Sequence, residues 1–248
     1  MKSFKNYITE AGQSAERQEN GFVDAINNAF ILINKGITVK TKDLTIKDIV
    51  KAEKYSGRSK AGTEPYTDVI ITTSKGKKYN LSMKGTTAPS LAGGGLAGIE
   101  LVLPGIGRQF MDAALKHHKK KLKIGDKVPD LFAKLNDKDK MKLVIGSTAM
   151  GGPIHYMYIG PMDVKAQYNI KTNVLDLNGK ITDAKRYSND HDLYFRLRAR
   201  REDQTFDPMK KDRAGIPTVY GKSPSRGDGK GRIVITDRSA KTRDVITF

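Results

Sequence analysis

The chain has 248 residues, and its 45 lysines and arginines outweigh 27 aspartates and glutamates to give a net charge of +18. Cysteine and tryptophan are absent, which excludes disulfides and thiolate zinc sites. The length suits one large domain or two small ones, with a core that buries roughly 70–75% of the unfolded surface. No window approaches the ~18 unbroken apolar residues of a membrane helix. The lysine-bearing start lacks the apolar segment of a secretory signal, so a reducing, cytoplasmic setting is expected. Such an excess of positive charge points to a polyanionic partner, above all nucleic acid. A membrane-surface protein would need an amphipathic helix with large exposed apolar residues, and none is visible.

In chain order, residues 1–14 read as a polar arm, and Ser14 as the cap of a helix over 15–34. Within it Phe22, Val23, Ile26, Ala29, Phe30 and Ile33 recur at helical spacing, and Gly36 ends it. Residues 44–55 predict a second helix, capped by Asp43 or Thr45, and 56–65 a loop. Residues 68–74 are β-branched and apolar, 75–77 form a turn, and 78–84 alternate, with Tyr79, Leu81 and Met83 on one side. This is a β-hairpin. If its turn centres on Gly76, Asp68 stands directly opposite Lys84, with Cβ atoms ~5 Å apart.

Residues 85–108 are glycine-rich, and 109–121 predict a helix ending in a basic run. A helix is expected over 129–135, strands at 143–146, 155–160 and near 163–170, and a hairpin over 171–184 turning at Asn178-Gly179. Residues 193–202 predict a strand, 203–231 a long loop and 232–237 a closing strand. The chain divides into an α/β half, 1–140, and a β-rich basic half, 141–248.

A carboxylate at the start of one strand and a lysine near the end of its neighbour supply what metal-dependent phosphodiester cleavage needs. The acid holds Mg²⁺, and the cation orients water and offsets charge on the phosphorane. Here the pair is Asp68 and Lys84. The same residues would otherwise form an ordinary cross-strand ion pair, worth under ~1 kcal/mol. Glu19 shares a helix face with Val23, Ile26 and Phe30, whereas Glu16 suits a first-turn position facing the helix dipole. Of the two, Glu19 is better placed at the core edge.

The order of a glutamate-bearing helix, a hairpin with Pro65-Tyr66-Thr67-Asp68 and Ser82-Met83-Lys84, and a following helix resembles the PD-(D/E)xK nuclease superfamily over residues 15–121. Two departures are plain. Pro65 stands three residues before Asp68, and Ser82 replaces the second acid. One branch of that family uses Ser-x-Lys and recovers the carboxylate from the next helix, for which Glu100 is the candidate. The resemblance implies a restriction-endonuclease-like α/β core and a Mg²⁺-dependent DNA endonuclease, restriction-like or homing. It implies catalytic Asp68, Lys84, Ser82, Glu19 and Glu100, with metal on Asp68, Glu100 and Glu19. A homodimer is the default for cutting two strands.

The strand at 193–201 alternates Leu193, Phe195, Leu197 and Ala199 with Tyr194, Arg196, Arg198 and Arg200. This predicts a row of guanidiniums ~7 Å apart, close to the phosphate repeat of a nucleic acid strand. Lys222, Arg226, Lys230 and Arg232 are candidates to wrap a duplex, and the lysines of 116–123 to touch its backbone. The histidines show no metal-ligand spacing, though Asn189-Asp190-His191-Asp192 faintly resembles an HNH site. Glycines 93–95 lack the Gly-Lys-Ser/Thr of a phosphate-binding loop. They suit either close approach to a phosphate or a flexible loop. The opening MKSFKNYITEA is similar to the starts of many tailed-bacteriophage proteins, so a phage origin, and hence the host cytoplasm, is expected. A non-catalytic nucleic-acid-binding or phage structural protein with a nuclease-like fold is the alternative.

Overall fold

The computed structural model describes residues 4–41, 43–60, 62–86, 95–198, 205–209, 232–236 and 245–248; for 4–14, 198 and 232–234 it describes the backbone. The chain is mixed α/β and forms two compact units. The first comprises 1–57, 65–89 and 151–187, the second 58–64, 90–150 and 188–248. The expected boundary at 140 therefore gives way to an interleaved division. The reason is strand pairing: segments from beyond residue 150 complete the sheet begun near the N-terminus.

The first unit begins with helix α1, Phe4–Ile33. It starts ten residues before the expected cap at Ser14, so the polar arm is helical backbone over 4–14. Gln18, Phe22, Ile26 and Ala29 are buried along one stripe of it. Strands β1 (Ile37–Lys40), β2 (Thr45–Lys54), β3 (Val69–Thr73) and β4 (Lys78–Gly85) follow as an antiparallel run.

The helix expected over 44–55 is strand β2. Its buried residues Ile46, Ile49 and Ala52 sit three apart, which imitates helical spacing. The cause is irregular pairing on both sides: β2 carries an extra residue against β1 between Ile46 and Ile49, and another against β3 between Ile49 and Lys51. Asp48, at φ 59°, sits within the first irregularity.

Farther along, β6 (Tyr156–Gly160), β7 (Ala166–Asn169), β8 (Val174–Leu177) and β9 (Lys180–Asp183) complete an eight-stranded sheet of order β7-β8-β1-β2-β3-β4-β6-β9. β8 lies parallel to β1, and β6 parallel to β4. The two strands flanking Asn178-Gly179 are present, but not as a hairpin: β8 pairs with β1 and β7, whereas β9 pairs with β6. Asn178 instead ties its turn to 163–165, accepting from Lys165 N at 2.9 Å and donating to Asp163 O at 3.0 Å. The core joins Phe22 and Ile26 to Ile37, Ile49, Ile71, Leu81 and Tyr158, all fully buried.

The second unit holds helices α2 (Gly95–Val102), α3 (Ile106–Lys119) and α4 (Asp137–Ile145). Its four-stranded sheet has the order β11-β10-β5-β12, from β5 (Leu131–Lys134), β10 (Tyr194–Arg198), β11 (Arg232–Thr236) and β12 (Val245–Ile246). Helix α5, Ala184–Asp190, spans the junction of the two units.

Two expectations fail here. Residues 131–134 are a strand where a helix was expected, and 143–145 end a helix where a strand was expected. Glycine-rich 95–102, which carries Glu100, is helical. In β5, Leu131, Phe132 and Ala133 are all buried, between β10 and β12. In α4, Asn136 Oδ1 accepts from Asp139 N at 2.9 Å, which caps the helix. The apolar pair Leu143-Val144 is its buried last turn. A short apolar run cannot by itself separate a strand from a helix end.

Candidate active site

In the first unit, β3 and β4 pair with Thr72 opposite Lys78 and Val69 opposite Leu81. The turn therefore spans five residues, closed by Thr73 N donating to Lys77 O at 2.9 Å. This shifts the register by two from the one expected. Asp68 precedes β3, its amide donating to Leu81 O at 2.9 Å, and it lies beside Ser82 and Met83 rather than opposite Lys84. A two-residue shift keeps every side chain on its face, so Lys84 still reaches the acid. Its Nζ lies 3.7 Å from Asp68 Oδ2, with side chains 19% and 14% exposed.

The same oxygen accepts from Met83 N at 2.6 Å and Ser82 Oγ at 3.1 Å. Three groups thus converge on Oδ2, while Oδ1 stays outside these bonds. At 3.7 Å the lysine makes an ion pair and no hydrogen bond, which keeps its N–H groups available to a water or a phosphate. Ser82, 2% exposed, holds the carboxylate rather than replacing the missing acid.

Glu19 and Glu16 both lie against Lys54, at 3.3 and 3.6 Å. Lys54 is the cross-strand partner of Val69, and Tyr55 N donates to Asp68 O at 2.9 Å. This brings Glu19 toward the Asp68 end of the β2–β3 pair. Gln18, which the sequence did not single out, is a polar residue of α1 buried to 2% exposure. Its Nε2 donates toward the carbonyls of Lys84 at 3.2 Å, Gly160 at 2.9 Å and Pro161 at 3.1 Å.

Glu100 belongs to the second unit. Its Oε2 accepts from Gly105 N at 2.7 Å and its Oε1 from Arg108 N at 3.0 Å. Gly105 cannot cap α3 with a side chain, and Glu100 does so from the preceding helix. Among the described residues, no three His, Cys, Asp or Glu side chains gather as a metal cluster. In the HNH-like segment, Asp192 pairs with Lys134 at 2.9 Å.

Along β10 and the residue before it, the alternation is as expected for Leu193, Phe195 and Leu197, all fully buried. Arg196 differs from the solvent-facing role expected of it. Its side chain is 15% exposed and forks onto Asp130, Nε at 3.0 Å with a second, shorter bond from Nη2, and its guanidinium lies 5.6 Å from the Phe132 ring centroid. Arg198 and Arg232 are directly paired across β10 and β11. Arg200, Lys222, Arg226 and Lys230 lie outside the described residues. Lys116, Lys119, Lys120, Lys121 and Lys123, at and beyond the end of α3, are exposed.

Comparison with protein-family models, with curated proteins and with solved structures finds no match.

Proposed function

We propose that the protein is a Mg²⁺-dependent DNA endonuclease of the PD-(D/E)xK type, of phage origin, with Asp68 and Lys84 at its centre. The observation that carries this reading is the ion pair of two poorly exposed side chains, Lys84 Nζ 3.7 Å from Asp68 Oδ2, at one end of a β-hairpin. The chain order supports it: a helix, antiparallel strands, two helices and, once β5 and α4 are set aside as an insertion, a strand parallel to β4. A restriction-endonuclease-like core would have this sequence of elements.

Mg²⁺ characteristically takes one or two carboxylates and completes its shell with waters and substrate phosphates. Asp68 fits that requirement through Oδ1, and Glu19 is the second acid assigned to this end of the sheet. Both oxygens of Glu100 already accept backbone amides. When bound, the ion supplies Lewis-acid polarisation of the scissile phosphate and charge neutralisation. Ser82 and the Met83 amide fix the Asp68 carboxylate in one orientation. Lys84 orients the attacking water and offsets the charge that grows on the phosphate oxygens. The +18 net charge supports a polyanionic substrate.

A non-catalytic DNA-binding protein, or a phage structural one, is the second reading. It is favoured by the lack of a three-ligand acidic cluster among the described residues. Incubating supercoiled plasmid with the protein in Mg²⁺ and in EDTA separates the two. Metal-dependent nicking or linearisation supports the nuclease, and shifted but intact DNA in both supports the alternative.

A further inference from the structure

We infer that Gln18 is a positioning residue for Lys84. The inference rests on the nuclease reading for what Lys84 does, though not for where it stands. The buried stripe of α1 continues as Phe22, Ile26 and Ala29, so an apolar residue would suit its head. A polar amide buried to 2% exposure costs desolvation unless it is hydrogen-bonded. An amide nitrogen has two donors and no acceptor. Three carbonyl oxygens lie within 3.2 Å of Gln18 Nε2, which fixes the orientation of the amide: the oxygen end could make none of these bonds.

Those carbonyls belong to the ends of β4 and β6 and to the residue that follows β6. The two strands are parallel, with Lys84 opposite Ile159 and Gly85 opposite Gly160. Parallel neighbours share no tight turn, so no local loop sets where their ends meet. A side chain from α1 does so instead, from 66 residues away in sequence for Lys84 and 142 for Gly160. One of the carbonyls is that of Lys84 itself. Without the amide, the end of β4 loses a donor held against its backbone, and the lysine that must meet Asp68 shifts with it. A displacement of about 1 Å at a reacting group can cost ~100-fold in rate.

Two variants and two readouts test this. The first readout is hydrogen exchange at the Met83 amide, whose bond to Asp68 Oδ2 reports the local register and needs no activity. The second is plasmid-cleavage kinetics with Mg²⁺. Gln18→Leu, shown to be folded by circular dichroism, is expected to lose ~10-fold or more of Met83 protection. Its kcat is expected to fall ~10- to 100-fold with KM near that of the parent, because the missing element is alignment and not affinity.

Gln18→Glu sets an acceptor against three acceptors, and only its protonated form regains a donor. Its Met83 protection factor, taken relative to the parent, should rise as pH falls. A folded Gln18→Leu with parental Met83 protection overturns the inference. If Gln18→Leu does not fold, Gln18→Glu decides: protection that rises on acidification supports the inference, and protection that is flat overturns it. If Met83 protection falls while the parent itself does not cleave DNA, the nuclease reading fails and the positioning of Lys84 by Gln18 stands.

Discussion

Lys84 reaches Asp68 diagonally across the β3–β4 hairpin, its Nζ 3.7 Å from the oxygen that the Met83 amide and the Ser82 hydroxyl also hold. The carboxylate is thus fixed by neighbours on β4, and the lysine approaches a charge that is already oriented. A surface ion pair would leave both groups free to reorient; here both side chains are mostly covered.

Asp68→Asn keeps the size of the side chain and one acceptor but removes the charge beside Lys84 and the shared anionic oxygen. Hydrogen bonds to charged groups contribute about 1.5–3 kcal/mol, and the retained acceptor preserves part of this. A fall in unfolding free energy of about 1–2 kcal/mol is expected from urea denaturation, with the m-value unchanged. Parental stability would show that Oδ2 holds nothing of consequence.

His155 gives the fold a pH dependence. Its Nδ1 accepts from Asn80 N at 3.0 Å, which requires the neutral ring there. Burial and, next, the charge of Lys77 hold its pKa below the usual histidine range, partly opposed by Asp183. The folded pKa is depressed, so this stabilisation is present above the unfolded pKa near ~6.5 and is lost as pH falls through the folded value. The urea midpoint of the parent should therefore drop between neutral and mildly acidic pH more steeply than that of His155→Gln. Identical slopes would remove His155 from the account.

Glu100 separates structure from chemistry. Glu100→Ala removes the acceptor for two amides at the start of α3 and should cost about 1 kcal/mol, as cap losses do. Glu100→Gln retains an oxygen and should cleave plasmid within a few-fold of the parent. Loss of cleavage by Glu100→Gln at parental stability would make Glu100 a metal carboxylate after all.

Arg196 is braced by Asp130, so Arg196→Ala should act on folding first, lowering stability by about 1.5–3 kcal/mol. The slope of log K against log salt for duplex binding should stay near parental in that variant. Replacing the exposed Lys119 and Lys120 by alanine should lower the slope by ~0.9 for each phosphate that is no longer neutralised. The opposite pattern would return the DNA surface to β10.

The hairpin and its acid–lysine pair were legible because a β-branched apolar run over 68–74, a glycine turn and period-two alternation over 78–84 are all local signals. Register was less so: whether the turn holds three residues or five is set by the closure between Thr73 and Lys77, and either choice keeps Asp68 and Lys84 on one face. Strand β2 was misread because its irregular pairing places Ile46, Ile49 and Ala52 at helix-like intervals. Helix α2 was hidden by glycines whose propensity argues against it. The bracing of Arg196 by Asp130 joins residues 66 apart, and the three bonds of Gln18 join α1 to strands far along the chain. Neither leaves a pattern in a single sequence, because both depend on tertiary closeness and not on spacing.

The most direct test of the central claim is Mg²⁺-dependent cleavage of supercoiled plasmid by the parent and by Lys84→Ala, with duplex binding measured in parallel. The account predicts that the parent cuts in Mg²⁺ and not in EDTA. It predicts that Lys84→Ala binds DNA with near-parental affinity and cuts at least ~100-fold more slowly, the scale expected when a group acting in the chemical step is removed. A Lys84→Ala variant that cuts at the parental rate, or a parent that binds DNA and never cuts it in Mg²⁺, would contradict it.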